Sequence, residues 1–145
     1  MFNLKIQGLT LLLSGLFSTF LPGQAQAGLV IEVSNIRSAE GNILVAVFDS
    51  RETFLGDKTV KGLIVPVKQK GKMSITVPDL PYGTYAISIF HDVNSNNRLD
   101  TNFLGIPKER YGFSNNARGT FGPPSFEKAS FKFSSPDKVV DIKLN

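Results

Sequence analysis

From Leu29 onward the apolar residues of this chain return at every second position, and no long stretch repeats them at the three-to-four spacing of a helix. A period of two sends alternate side chains to opposite faces of an extended strand, so the chain can bury one face of a sheet and has no amphipathic helix to lay over it. Leu29, Ile31 and Val33 alternate with Val30, Glu32 and Ser34 and predict an edge-like strand. Ile43 to Phe48 is apolar on both faces, as a strand in the middle of a packed sheet would be. Val60 to Lys68 contains Pro66, which cannot donate to a ladder and so assigns that stretch to an edge or a bulge. Met73, Ile75 and Val77 form a fourth strand, and after the turn-rich Pro78 to Gly83 a fifth runs from Thr84 to His91. Ala129, Phe131 and Phe133, then Val140, Ile142 and Leu144, complete seven. Only Ser50 to Lys58 suggests a helical turn, with Ser50 as its N-cap and Phe54 and Leu55 packing down. Seven short antiparallel strands separated by Gly, Pro and Asn clusters predict an all-β sandwich of immunoglobulin-like or transthyretin-like type, with a small barrel as the alternative.

The strands begin only after a different kind of segment. Lys5 precedes an apolar run from Leu9 to Leu21, followed by Pro22-Gly23 and the small-residue pattern Ala25-Gln26-Ala27. This is the layout of a signal peptide cleaved after Ala27, which leaves residues 28–145 as one domain, exported to the periplasm or the cell exterior. The run is too short for the ~18 or more residues that span a bilayer, so no membrane span is expected in the mature chain.

Charge and cysteine content remove several function classes. The formal net charge is +4, and the basic residues Lys58, Lys61, Lys68, Lys70, Lys72, Lys108 and Arg110 are scattered without interleaved aromatics. They read as a solvated surface, and no nucleic-acid partner is expected. With no cysteine there is no disulfide staple, no thiol catalysis and no thiolate-rich zinc site.

Between Asp92 and Ser125 no strand is evident, although compact domains seldom carry structureless connections longer than about 15 residues. Phe103, Leu104, Ile106, Tyr111, Phe113 and Phe121 supply apolar surface for packing, so this segment is expected to be an ordered excursion over one end of the sandwich. It opens with Asp92-x-Asn94-x-Asn96 and continues to Asp100, oxygen-bearing side chains at alternate positions that let a short chain wrap a calcium ion. In an EF-hand register Asp92, Asn94 and Asn96 take positions 1, 3 and 5, Arg98 offers its carbonyl at 7, and Asp100 stands at 9. Asn97 takes the turn position, where its tolerance of the left-handed conformation substitutes for glycine. Phe103 stands where the bidentate Glu belongs, so Glu109 must reach in from further along, and two carboxylates predict weak binding, about 10⁻⁴ to 10⁻³ M. The same side chains could instead bond their own backbone in successive Asx-turns with no ion.

His91 is the single histidine and shares a strand face with Tyr85, Ile87 and Ile89, which predicts a core-edge side chain bonded to the loop that follows it. A hydrolase reading pairs His91 with Asp100 or Glu109, but Ser88 lies on the opposite strand face, and Ser114 could approach only through the fold. A carbohydrate-binding reading rests on Tyr82 and Tyr111 in a chain without Trp.

The stretch Gly83 to Ala117, followed by Gly122 to Phe126, resembles the signature of a bacterial family of exported proteins known as domain of unknown function 2141. The resemblance rests on His91-Asp92, Asn94, Asn96, Leu99-Asp100, Asn102, Gly105, Pro107, Glu109 and Gly112 to Asn116, and it extends over essentially the whole mature chain. Asn97 departs from the glycine common in that family. The resemblance implies export, a β-sandwich and no established activity, and it places Glu109, Asn115 and Asn116 with the Asp/Asn loop, supported by His91 and Asn102. With Pro107 and Gly112 letting the excursion double back, these groups are expected to meet Asp92 and Asp100 in one polar cap. The expected role is non-catalytic: a cation-stabilised or self-bonded cap that presents a binding surface to an envelope or extracellular partner.

Overall fold

The computed structural model describes residues 28–145, so the expected leader, residues 1–27, lies outside the described residues. Among the described residues eight strands form two packed sheets and no closed barrel. The first sheet runs β4 (Gly71–Val77), β1 (Leu29–Ile36), β8 (Val139–Lys143). The second runs β3 (Lys61–Pro66), β2 (Asn42–Phe48), β5 (Gly83–Asp92), β6 (Tyr111–Phe113), with β7 (Phe131–Phe133) also paired to β5. The inward faces carry the period-two residues: Leu29, Ile31, Val33 and Ile142 from one sheet meet Ile43, Val47, Ile87 and Phe133 from the other, all fully buried.

Two strands differ from the sequence-based expectation. The first strand, expected at an edge, is the centre of its sheet, because β8 returns to pair with it in parallel, Val30 with Val139 through Ser34 with Lys143. Its outward-facing Val30, Glu32 and Ser34 are half-buried beside two neighbours, and polar alternation by itself does not reveal that a late strand will cover an edge. The excursion also contains an eighth strand, β6, too short to show a period of its own. Pro66 ends an edge strand, as its missing N–H demands.

One edge of β5 is shared by two short strands. β7 covers Gly83 to Tyr85 and β6 covers Ser88 to Phe90, leaving a gap in the ladder between them. Ser114, fully buried, fills it: its Oγ accepts from Ile87 N at 2.8 Å and donates to the Ala129 carbonyl at 2.5 Å. The hydroxyl therefore satisfies two buried backbone groups that neither strand reaches. Ala129 closes a single helical turn, α1 (Phe126–Ala129), where strand alternation was expected. Residues 51–55 form turns and no helix; Phe54 packs down against Phe48 and Phe126 while Leu55 stays 40% exposed.

Candidate functional site

β5 delivers His91 and Asp92 into the end of the sandwich, and both are buried. Asp92 sits at the root of the loop and accepts from Asn96 N at 3.1 Å through Oδ1 and from Asn97 N at 2.7 Å through Oδ2. The Asn94 Oδ1 accepts from Asn96 N, and the Asn96 Oδ1 accepts from Arg98 N. Ser95 and Asn97 take left-handed φ of 57° and 59°, which lets the chain curl around the carboxylate. With their oxygens so engaged, the Asn94 and Asn96 amides turn their N–H groups to Asp100, at 2.6 and 3.0 Å. The Asn96 and Asn94 amides hold the Asp100 carboxyl below its ordinary pKa, and the charges of Lys108 and Arg98 act in the same direction.

Glu109 closes the loop as the excursion returns. Its Oε1 accepts from Val93 N and its Oε2 from Asp100 N, both at 3.1 Å, so one side chain staples the two ends of the loop. Beyond Asp100 the chain makes a small hairpin, with Thr101 bridged to Pro107 and the Lys108 N–H donating to the Asp100 carbonyl. Asn102 ties its tip by accepting from Leu104 N and Ile106 N. Among the described residues no three His, Asp or Glu side chains stand together in a group able to hold a metal ion.

His91 does not bond the loop that follows it. Its Nε2 lies 2.7 Å from the Glu40 carbonyl, in the turn between β1 and β2, and a carbonyl only accepts, so Nε2 carries a proton. That turn lies against the loop because Gly41, at φ 73°, has no Cβ; one would stand 2.0 Å from the Asp92 carbonyl oxygen. His91, Asp100 and Glu109 line one hollow of about 310 Å³ together with Arg37, Lys108 and Arg110. Lys108 and Arg110 stand among scattered basic residues in the sequence and Arg37 stands apart from them, because the three reach the hollow from segments some 70 residues apart. Among the described residues no hydroxyl bonds to His91: Ser114 serves Ile87 and Ala129, and Ser88 faces outward.

A family profile described as "Uncharacterized protein conserved in bacteria (DUF2141)" matches residues 31–141. The chain belongs to the DUF2141 family. Searches of curated proteins and of solved structures gave no match. No helix among the described residues of this DUF2141 protein is long and apolar enough to cross a membrane.

Asn115 and Asn116 do not join the cap. They follow β6 with left-handed φ of 60° and 50°, and each serves a different neighbour. The Asn115 amide donates to the Lys128 and Ser130 carbonyls, and the Asn116 Oδ1 accepts from Lys143 N on β8. The pair turns the chain out of β6 and stitches the two sheets together, so the expected constellation divides into a cap with Glu109 and a separate seam.

A second concavity lies on the outer face of the five-stranded sheet. Antiparallel sheets usually turn a polar face to water. Here the register lines up Ile64, Leu44, Phe90 and Tyr111 in one outward row, beside Gly62, Ala46, Ser88 and Phe113. The small residues Ala46 and Ser88 form the floor of a groove of about 480 Å³, walled by Phe48, Phe90, Tyr111 and Phe113 and overhung by Leu99 and Pro107 from the excursion. This groove explains why β2 is apolar on both faces. Phe103, Leu104, Ile106 and Phe121, expected to pack, are exposed, Phe103 at 94%. The two tyrosines do not form one platform: Tyr82 precedes the start of β5 and Tyr111 pairs with Phe90 near its end.

Proposed function

We propose that this DUF2141 protein is an exported, non-catalytic binding protein that receives an apolar segment of an envelope or extracellular partner in the groove on the outer face of its second sheet. The supporting observation is the groove itself: about 480 Å³, predominantly apolar, with Ser88 and Thr59 as polar points. That size and lining are those of sites that bury an apolar ligand with few orienting contacts. The polar cap serves the groove by fixing the hairpin that overhangs it, since Glu109 and Asp92 fasten both ends of the loop that leads to Leu99 and Pro107. Titration with the apolar dye 1-anilinonaphthalene-8-sulfonate tests this reading. Saturable emission from the folded protein is expected, and Ala46→Phe, which fills the floor, should abolish it while thermal unfolding stays cooperative. A parent protein that leaves the dye dark removes the reading.

Calcium is a second reading, supported by the spacing of Asp92, Asn94, Asn96 and Asp100 around one curl of chain. An ion at Asp100 would have to turn the Asn94 and Asn96 amides over, which agrees with weak affinity, about 10⁻⁴ to 10⁻³ M. Its test is the melting temperature with and without about 10 mM Ca²⁺, a concentration above that range. A rise is expected that Asp92→Ala combined with Asp100→Ala abolishes, and an unchanged parent rejects the ion.

A further inference from the structure

We propose that the hollow beside His91 is a binding site for a phosphate-type oxyanion that carries a protonated oxygen. The hollow holds about 310 Å³ and is lined by Arg37, Lys108 and Arg110 as well as by Asp100 and Glu109. The charges of opposite sign are not equally free. Each carboxylate is already engaged by N–H donors: Asp100 by two side-chain amides, Glu109 by two backbone amides. None of the three cations forms an ion pair with an acid, although the Lys108 charge acts on Asp100 from beyond pairing distance. The one ion pair among the described residues joins Arg51 to Glu127, and the Arg110 guanidinium meets only the Leu144 carbonyl. Three cations thus border one concavity without an ion-pair partner among the described residues, the arrangement that recognises a compact anion through charge-assisted hydrogen bonds.

His91 specifies the kind of anion. The imidazole is 98% buried, its Nε2–H is committed to the Glu40 carbonyl, and Nδ1 has no protein partner among the described residues. An unprotonated Nδ1 accepts a hydrogen bond, which a monohydrogen phosphate supplies from its P–OH while its other oxygens face the cations. Sulfate, phosphodiesters and phosphomonoester dianions have no such proton at pH 8.

The test is calorimetric titration of the purified protein with inorganic phosphate at pH 8, with ionic strength held by sodium chloride. Saturable binding at about 1 mM or tighter is expected. Arg37→Gln and Lys108→Gln should each weaken it about fivefold or more, while Lys132→Gln leaves it unchanged. Arg37 and Lys108 are exposed and their side chains make no hydrogen bond among the described residues, so the variants should melt as the parent does. Sulfate is expected to bind at least about fivefold more weakly than phosphate, and phosphatidylglycerol vesicles should not displace it. The proposal is overturned by no saturable uptake of phosphate, by either Gln variant binding like the parent, by sulfate binding equally well, or by vesicles competing. Because the groove of the proposed function lies on another face, dye binding there survives a failure here.

Discussion

Replacing Ser114 with alanine isolates the part of the fold where one hydroxyl stands in for a missing strand. The substitution keeps the backbone and removes only Oγ, the acceptor for Ile87 N–H at 2.8 Å and the donor to the Ala129 carbonyl at 2.5 Å. Ser114 is fully buried, so water does not replace either bond. A buried polar group left without a partner costs about 1–3 kcal/mol, and the two are neighbours served by one atom, so the combined loss is about 2–4 kcal/mol. For a domain of this size, with each kcal/mol worth roughly 4 °C, that corresponds to a fall in melting temperature of about 8–16 °C. Urea unfolding followed by far-ultraviolet circular dichroism gives the number directly, as a lowered midpoint at unchanged slope. Ser88→Ala, half-buried on the groove floor, is the control and should cost less than about 0.5 kcal/mol. A Ser114→Ala variant as stable as that control would mean that the gap between β6 and β7 is satisfied some other way, and the account of the shared edge would be wrong.

Three further outcomes follow from the cap. Asp92→Ala deletes the acceptor of the Asn96 and Asn97 amides, so their hydrogen exchange should quicken by about tenfold or more while the β2–β5 ladder keeps its protection; equal exchange in both proteins contradicts the carboxylate-centred curl. Asp100 has its pKa lowered in the fold, so its contribution is present above the ordinary carboxylate range and lost as pH falls through the lowered value. The melting difference between the parent and an Asn94→Ala, Asn96→Ala variant should therefore shrink from about pH 6 to about pH 2, and a constant gap refutes the assignment. Gly41→Ala would place a Cβ 2.0 Å from the Asp92 carbonyl oxygen at a φ of 73°, and should cost about 2 kcal/mol or more in urea unfolding; a neutral effect would show that the turn does not need its close approach.

The parts of the fold that were legible in the sequence are those where one residue type has one physical use. Alternation located the strands because a pleat has only two faces, and Pro66 marked an edge because it lacks a donor. Asn97 in a left-handed turn was legible for the same reason. The parallel partner of β1 was hidden, since nothing local to Leu29–Ile36 records a strand more than a hundred residues away. So was β6, whose Tyr111 and Phe113 are too few to establish a period. At the site, Glu109 was expected to reach the loop as an ion's ligand, and it reaches the loop as the acceptor for Val93 N and Asp100 N. The Asn115-Asn116 pair was misplaced because two asparagines serve equally as ligands or as left-handed turn residues, and here they turn. The burial of Phe103 was overestimated for a related reason: aromatic content shows that surface is available to cover, and it does not show that the fold covers it.

The parallel pairing of β1 with β8 sets an order of events for folding. β1 needs Val139–Lys143 along one of its two sides, so the three-stranded sheet stays open until those residues dock. Until that partner arrives β1 is a half-clothed central strand, and closing so long a loop makes assembly slow. Removing Val139–Lys143 would strip that strand of its second neighbour and leave a sticky ribbon in place of a sheet interior.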